Sequence, residues 1–252
     1  MHYIDSHCHL DFAPFHADLD AVIQRANQAG VQNFIVPGVK ASQWLELRDL
    51  CDKHKSMFFS VGLHPYFLDQ FSTADLNLLD TLLSSEQVVA VGECGIDCSI
   101  SNLSLQQKVF AAQVELANAF KKPLIVHHRK SHHLIQQVFK QITPQHGGVI
   151  HAFSGSQQDA EKYINLGFKL GVGGTITYSR AEKTRKVIAS VPLTSLLLET
   201  DSPDMPLQGY QGQRNEPYHI VEVAEQLATL RGITAEQVRE QTFINTRTLF
   251  GI

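Results

Sequence analysis

Short runs of apolar and β-branched residues alternate along the whole chain with stretches whose apolar positions recur every three or four residues. The runs predict strands over Tyr3–Ser6, Asn33–Pro37, Met57–Leu63, Val88–Gly92, Pro123–Val126, Gly148–Ile150, Phe168–Val172 and Ser195–Leu198. Segments between them, such as LDAVIQRANQAG, SQWLELRDLCDKH and LQQKVFAAQVELANAF, predict amphipathic helices, with Gly30 placed to cap the first. Eight strands, each followed by helical sequence, at spacings of roughly 20–35 residues, give the rhythm of an α/β TIM barrel, (β/α)8. A doubly wound open sheet shares this alternation, and periodicity alone does not separate the two. No linker, low-complexity tract or repeat divides the chain, so residues 1–252 read as one barrel domain.

Composition narrows the class of partner. Hydrophobic residues at 43% and charged residues at 18% describe an ordinary globular chain. A net charge of −4 excludes a protein that holds nucleic acid by bulk electrostatics, though a few local cations can still grip a phosphate. The segment MHYIDSH has neither a basic region nor an apolar core of a secretory signal, and no apolar run is long enough to span a bilayer. Cys8, Cys51, Cys94 and Cys98 form no regular framework, which suits reduced thiols in a cytoplasmic protein. The expectation is a cytoplasmic protein with no membrane partner; a monomer is compatible with it, and the oligomeric state is not legible.

In a parallel barrel, functional side chains gather at the C-terminal ends of the strands. The residues just after the predicted strands include His7 and His9, then His64, Glu93, His127, His151 and Asp201. Six of these (His7, His9, Glu93, His127, His151 and Asp201) form a metal-ligand set drawn from strands one, four, five, six and eight. Alternate residues of an extended segment share a face, so His7 and His9 can meet one ion while Cys8 turns away. Glu93 ends the apolar run VVAVG, where a carboxylate is costly unless it is paired or bound to a cation. Four imidazoles and two carboxylates suffice for two divalent ions, with Glu93 as the natural bridge. Such a site is hydrolytic: the ions activate water, and Asp201 both binds and serves as general base, leaving Asp201 and Glu93 as the catalytic pair. An imidazole-rich set leans to zinc, cobalt or manganese over magnesium.

The motifs IDSHCHLD, VGLHP, VGECGID, PLIVHHR, GVIHAFSGS, LLLETDSP and NTRTLFGI follow one another from the first strand to the final helix. In order and spacing they resemble the TatD family of metal-dependent hydrolases, among the amidohydrolase-like barrels. The stretches GVGGTITYSRAEKTR and DMPLQGYQGQRNEP look closest to one bacterial subgroup of it. The resemblance implies the same six ligands, and a Mg2+-dependent deoxyribonuclease-type hydrolysis of phosphodiesters in single-stranded or nicked DNA. It implies no carboxylated lysine between the metals. Cys94 and Ile96 replace a usual apolar pair, and Cys98 and Ser99 replace an aromatic-rich loop; the second departure puts substrate contacts in doubt and not metal binding.

Two further residues are candidates for substrate: His64 for a phosphate or the leaving group, and Arg129 for a bidentate grip on phosphate. Asp97 is placed to orient a ligand. His132 and His133 fall on a helix, and His2, His16, His54, His146 and His219 have no strand-end position. The cofactors expected are two divalent ions, Zn2+, Mn2+ or Mg2+, and the partner is DNA or another phosphodiester bound locally. The alternative is a hydrolase of a small amide, ester or lactone. Cations at Arg129, Lys130, Arg180, Lys183, Arg185 and Lys186 would favour the first; a closed apolar pocket of Phe153, Tyr178 and Met205 would favour the second.

Overall fold

A computed structural model describes all residues, 1–252. The strands are β1 (Tyr3–Asp5), β2 (Val31–Pro37), β3 (Met57–Val61), β4 (Val88–Asp97), β5 (Leu124–Arg129), β6 (Gly148–Ile150), β7 (Phe168–Val172) and β8 (Leu196–Leu198). The helices are α1 (Leu19–Gln28), α2 (Trp44–Lys53), α3 (Thr73–Leu83), α4 (Leu103–Ala119), α5 (His132–Gln141), α6 (Gln157–Asn165), α7 (Glu182–Ser190), α8 (Ile220–Arg231) and α9 (Ala235–Phe250). All neighbours in the order β1 to β8 pair in parallel, the strand arrangement of the predicted barrel.

The barrel closes between its first and last strands by a few bonds at one end. The Ser6 N–H donates to the Leu198 carbonyl (3.0 Å) and the Asp201 N–H to the His7 carbonyl (2.9 Å). The fully buried carboxyl group of Asp5 reinforces the seam, accepting from the Thr200 hydroxyl (2.6 Å), the Thr200 N–H (3.0 Å) and the His7 N–H (3.3 Å). Burial pushes the Asp5 carboxyl up to about 8, so the uncharged amide of Asn is its nearer mimic at neutral pH. Asp5→Ala strands two buried Thr200 donors and is expected to cost about 2–4 kcal/mol, read as a lowered Tm. Asp5→Asn keeps an acceptor and should cost much less; equal losses in the two variants would contradict this role for the seam.

Strand faces alternate, and the two faces have different partners. On β2, Phe34 and Val36 pack outward with the helices, whereas Ile35 between them joins Val89, Ile125, Val149 and Leu197 in a second cluster. That second set fills the barrel lumen, and Phe250 of α9 packs against it. Gly30 adopts a φ of +89° just past α1, the left-handed turn that lets the chain reverse into β2.

Two strands run further than their apolar runs predict. β4 continues through Glu93 to Asp97 and β5 through His127 to Arg129, paired as Gly95 with His127 and Asp97 with Arg129. Backbone pairing is indifferent to side-chain polarity, so the ladder carries on where the hydrophobic signal stops. Glu93 and His127 therefore stand on paired strands and not in loops.

Candidate metal centre

All six predicted ligands, and His64 with them, meet at the C-terminal mouth of the barrel. His7, His9, Glu93 and His151 are buried, while His127 and Asp201 are partly open to the cavity. His7 and His9 project the same way from the chain after β1, with their Nε2 atoms 3.2 Å apart. Cys8 points away, towards the Ile35 carbonyl. Asp201 follows β8 at a φ of +59°, a left-handed conformation that Asp tolerates better than most residues. Its N–H bond to His7 fixes the turn, and this aims Oδ1 at His7 (3.5 Å), His9 (3.6 Å) and His151 (3.4 Å).

Glu93 divides the cluster in two. Its Oε2 faces the Nε2 atoms of His7 (3.3 Å) and His9 (3.5 Å), while Oε1 faces His64 Nε2 (3.4 Å) and His127 Nδ1 (3.1 Å). Burial alone would raise the Glu93 carboxyl, but the imidazoles of His64 and His7 draw it well below the usual carboxylate range. Asp201 likewise lies low: burial opposes ionisation, and His151 outweighs it. Two anionic carboxylates and several imidazole nitrogens thus converge within 3–4 Å in a buried space. Lone pairs gathered this way repel one another unless a cation or a proton lies between them, and the donor set fits divalent ions. Groups such as His7–His9–Asp201 and His7–Glu93–His151 each have ligand atoms close enough to share one ion.

The flanking residues hold these side chains in place. Asp97 Oδ2 lies 3.3 Å from His127 Nε2, while its Oδ1 accepts from the Ser99 N–H and hydroxyl. Glu199 Oε1 lies 3.0 Å from His151 Nδ1 and accepts the Ala152 N–H at 2.6 Å. Carboxylates on the far nitrogen of a ligand imidazole fix its tautomer and ring plane. Gly171 makes room for this arrangement, because a Cβ there would sit 2.2 Å from Glu199 Oε2. Sequence reasoning missed Glu199 although it ends the same apolar run, LLLE, that pointed to Asp201.

His64 stands apart from the others by its protonation. Its Nδ1 accepts the Tyr66 N–H at 3.1 Å, so the proton of the neutral ring lies on Nε2, which faces Glu93. In the metal-free ring that nitrogen is a donor; freed of its proton it would join Glu93 and His127, whose ligand atoms lie close enough to it to share one ion. Arg129 ends β5, is exposed, and lines the same cavity of about 710 Å³. Asp97, its register partner, is occupied by His127 and Ser99.

The other expected cations are placed differently. Arg180 lies over the Tyr178 ring, and Arg185 donates to the Ile176 carbonyl at 2.6 Å. Lys183 and Lys186 lie on α7 and Lys130 is exposed beyond β5; none of these five lines the metal cavity. The closed apolar pocket does not form either. Phe153 is buried in the core, Tyr178 lines a neighbouring recess, and only Met205 of the three reaches the metal cavity. His132 packs instead against the Tyr163 hydroxyl (3.0 Å) and the Ser154 carbonyl (2.9 Å).

The four cysteines are unpaired, and no helix is long and apolar enough to cross a membrane.

Comparison with known proteins places this geometry in a lineage. The family model described as TatD related DNase matches residues 4–251. The metal-dependent hydrolase YjjV of Escherichia coli K12 is 43% identical over 99% of this chain and 98% of its own. Its crystal structure superposes with a TM-score of 0.96. The 3'-5' ssDNA/RNA exonuclease TatD of Erwinia amylovora is 31% identical over 94% of this chain and 95% of its own. An organophosphorus hydrolase from Deinococcus radiodurans, at 14% identity and a TM-score of 0.70 over 99% of this chain and 93% of its own, shares the fold alone. The motifs, their order around the barrel and the full-length matches agree: the chain belongs to the TatD family of metal-dependent hydrolases.

Proposed function

We propose that this hydrolase cleaves phosphodiester bonds in DNA or a related strand, with two divalent ions held by His7, His9, Glu93, His127, His151 and Asp201. The observation that carries the reading is the division of Glu93, whose two oxygens face two different sets of imidazoles and so suit a shared ligand. Zn2+, Mn2+ or Mg2+ bound here would lower the pKa of water and offset the charge that gathers on a phosphoryl group. Asp201 turns Oδ1 to the histidines, which leaves Oδ2 to accept the proton of the attacking water. His64 Nε2–H donates towards the phosphate or its leaving oxygen, and the Arg129 guanidinium grips a neighbouring phosphate in two-pronged fashion. The relative in Erwinia amylovora, a 3'-5' ssDNA/RNA exonuclease by name, supports the same chemistry. The exposed Arg129 on the cavity, and the absence of a closed pocket of Phe153, Tyr178 and Met205, favour a strand over a small amide, ester or lactone.

Binding and cleavage of a short labelled single strand across a salt series test this reading. With a net charge of −4, affinity rests on two or three local contacts. Each phosphate contacted on a single strand contributes a slope of about −0.7 in log K against log salt, so the dependence should be shallow. Arg129→Ala should weaken binding and flatten the slope by about one such contact, with metal content unchanged. An unchanged slope would remove Arg129 from the substrate site, and failure to cleave DNA with any metal would defeat the nuclease reading.

A further inference from the structure

Three of the seven exposed large hydrophobic side chains in the molecule, Tyr66, Phe67 and Met205, line the metal cavity. Tyr66 is 55% exposed and Phe67 40%. Such side chains gathered at the rim of a polar, charged site mark a surface that a ligand covers. Neither ring is there by accident of a floppy loop. Both belong to the turn Pro65–Gln70, which His64 starts by accepting the Tyr66 N–H. The His64 and Tyr66 rings lie nearly parallel, 27° apart with centroids 5.8 Å from each other. The segment that aims His64 Nε2 at Glu93 therefore also presents an aromatic face to the mouth. Lys40 stands on its outer side, in the neighbouring recess and outside the metal cavity, its ammonium 5.3 Å from the Phe67 ring centroid.

We propose that Tyr66 and Phe67 form a stacking platform for an unpaired base of the strand, with Lys40 meeting an adjacent phosphate. The proposal rests on the phosphodiesterase reading and adds how the substrate is selected. Every nucleobase has a π-face, so stacking holds a strand with little regard to sequence and without a strongly basic surface. This resolves how an acidic protein retains a polyanion: one or two cations position phosphates, and flat apolar contact supplies the rest. In a duplex the base faces are covered by their neighbours, so the platform selects single-stranded ends and flaps. It lies just beyond the end of β3, continuous with His64, and so sets where the strand enters relative to the metals. Sequence reading of GLHP gave a role to His64 alone and left Tyr66 and Phe67, the two residues after the motif, without one.

The test uses the full chain and a short oligothymidylate with phosphorothioate linkages and one 2-aminopurine, whose fluorescence is quenched when it stacks. Wild type should quench the probe. Tyr66→Ala with Phe67→Ala should relieve the quench and raise Kd by about 5- to 150-fold, the range expected for loss of one stacked base. Tyr66→Phe alone, which keeps both rings, should leave the quench and Kd as in wild type. Replacing the probed nucleotide by an abasic one should weaken wild-type binding about as much as the double substitution does. Unchanged quench and Kd in the double variant would overturn the platform, as would absence of quench in wild type. A small chromogenic phosphodiester separates the two claims. If wild type hydrolyses it but binds no oligonucleotide, the platform fails and the phosphodiesterase reading stands; if wild type cleaves neither it nor an unmodified oligonucleotide, the reading beneath it fails.

Discussion

Asp201→Asn is expected to lower kcat on a single-stranded substrate by about 10³-fold or more with the enzyme saturated in metal, while leaving the fold intact. Asn keeps the shape of the side chain and tolerates the left-handed backbone found at position 201, where φ is +59°. The N–H bond to the His7 carbonyl is unaffected by the change. What disappears is charge and basicity. The amide oxygen facing His7, His9 and His151 carries no full negative charge, and the opposite position no longer accepts a proton. General-base removal alone is worth about 10²–10⁴ in rate, and the loss of a charged ligand adds to it. Initial rates at several metal concentrations separate the two contributions, because excess metal repairs weak binding and not a missing base. Wild-type turnover in the metal-replete variant would rule out the role given to Asp201.

Glu93→Gln is expected to empty the centre as a whole. In the barrel each carboxylate oxygen serves a different set of imidazoles, so one substitution strikes both positions. Gln replaces one oxygen by an NH2 group that turns protons towards nitrogens whose lone pairs would hold the ions. Loss of an outer partner to a metal ligand weakens affinity about 10–100-fold, so loss of the shared ligand itself should weaken it at least about 100-fold. The variant should retain fewer than one divalent ion per chain under conditions that fill wild type, as elemental analysis would show. Loss of one ion with full retention of the other would mean that Glu93 serves a single position.

The barrel was legible because each strand is an apolar, β-branched run and each helix shows its own periodicity. The mouth was legible because a polar residue after a buried run is costly without a partner, and several such residues recurred at equivalent strand ends. What periodicity could not show was how far the ladders extend. β4 and β5 pair on through Glu93 and His127, where side chains turn polar but backbones continue to bond. Glu199 was hidden for a related reason: only the fold turns it to His151 while Asp201, two residues on, reaches the same histidine from its other nitrogen. Asp5 was hidden because its partner Thr200 lies 195 residues away across the barrel seam. Cations misled in the opposite direction. Arg180 and Arg185 sit in segments near the mouth, but their side chains go to Tyr178 and to the Ile176 carbonyl, and sequence alone gives no side-chain direction.

The central claim is that two ions, held between His7, His9, Glu93, His127, His151 and Asp201, drive phosphodiester hydrolysis. Its most direct test is to strip the protein with a chelator, refill it with Mg2+, Mn2+, Co2+ or Zn2+, and assay single-stranded DNA beside simple esters. The account predicts no cleavage by the stripped protein, and recovery of DNA cleavage that rises to a plateau at two equivalents of at least one of these metals. DNA cleavage that survives metal removal, or ester hydrolysis recovered by metal with DNA left intact, would contradict it.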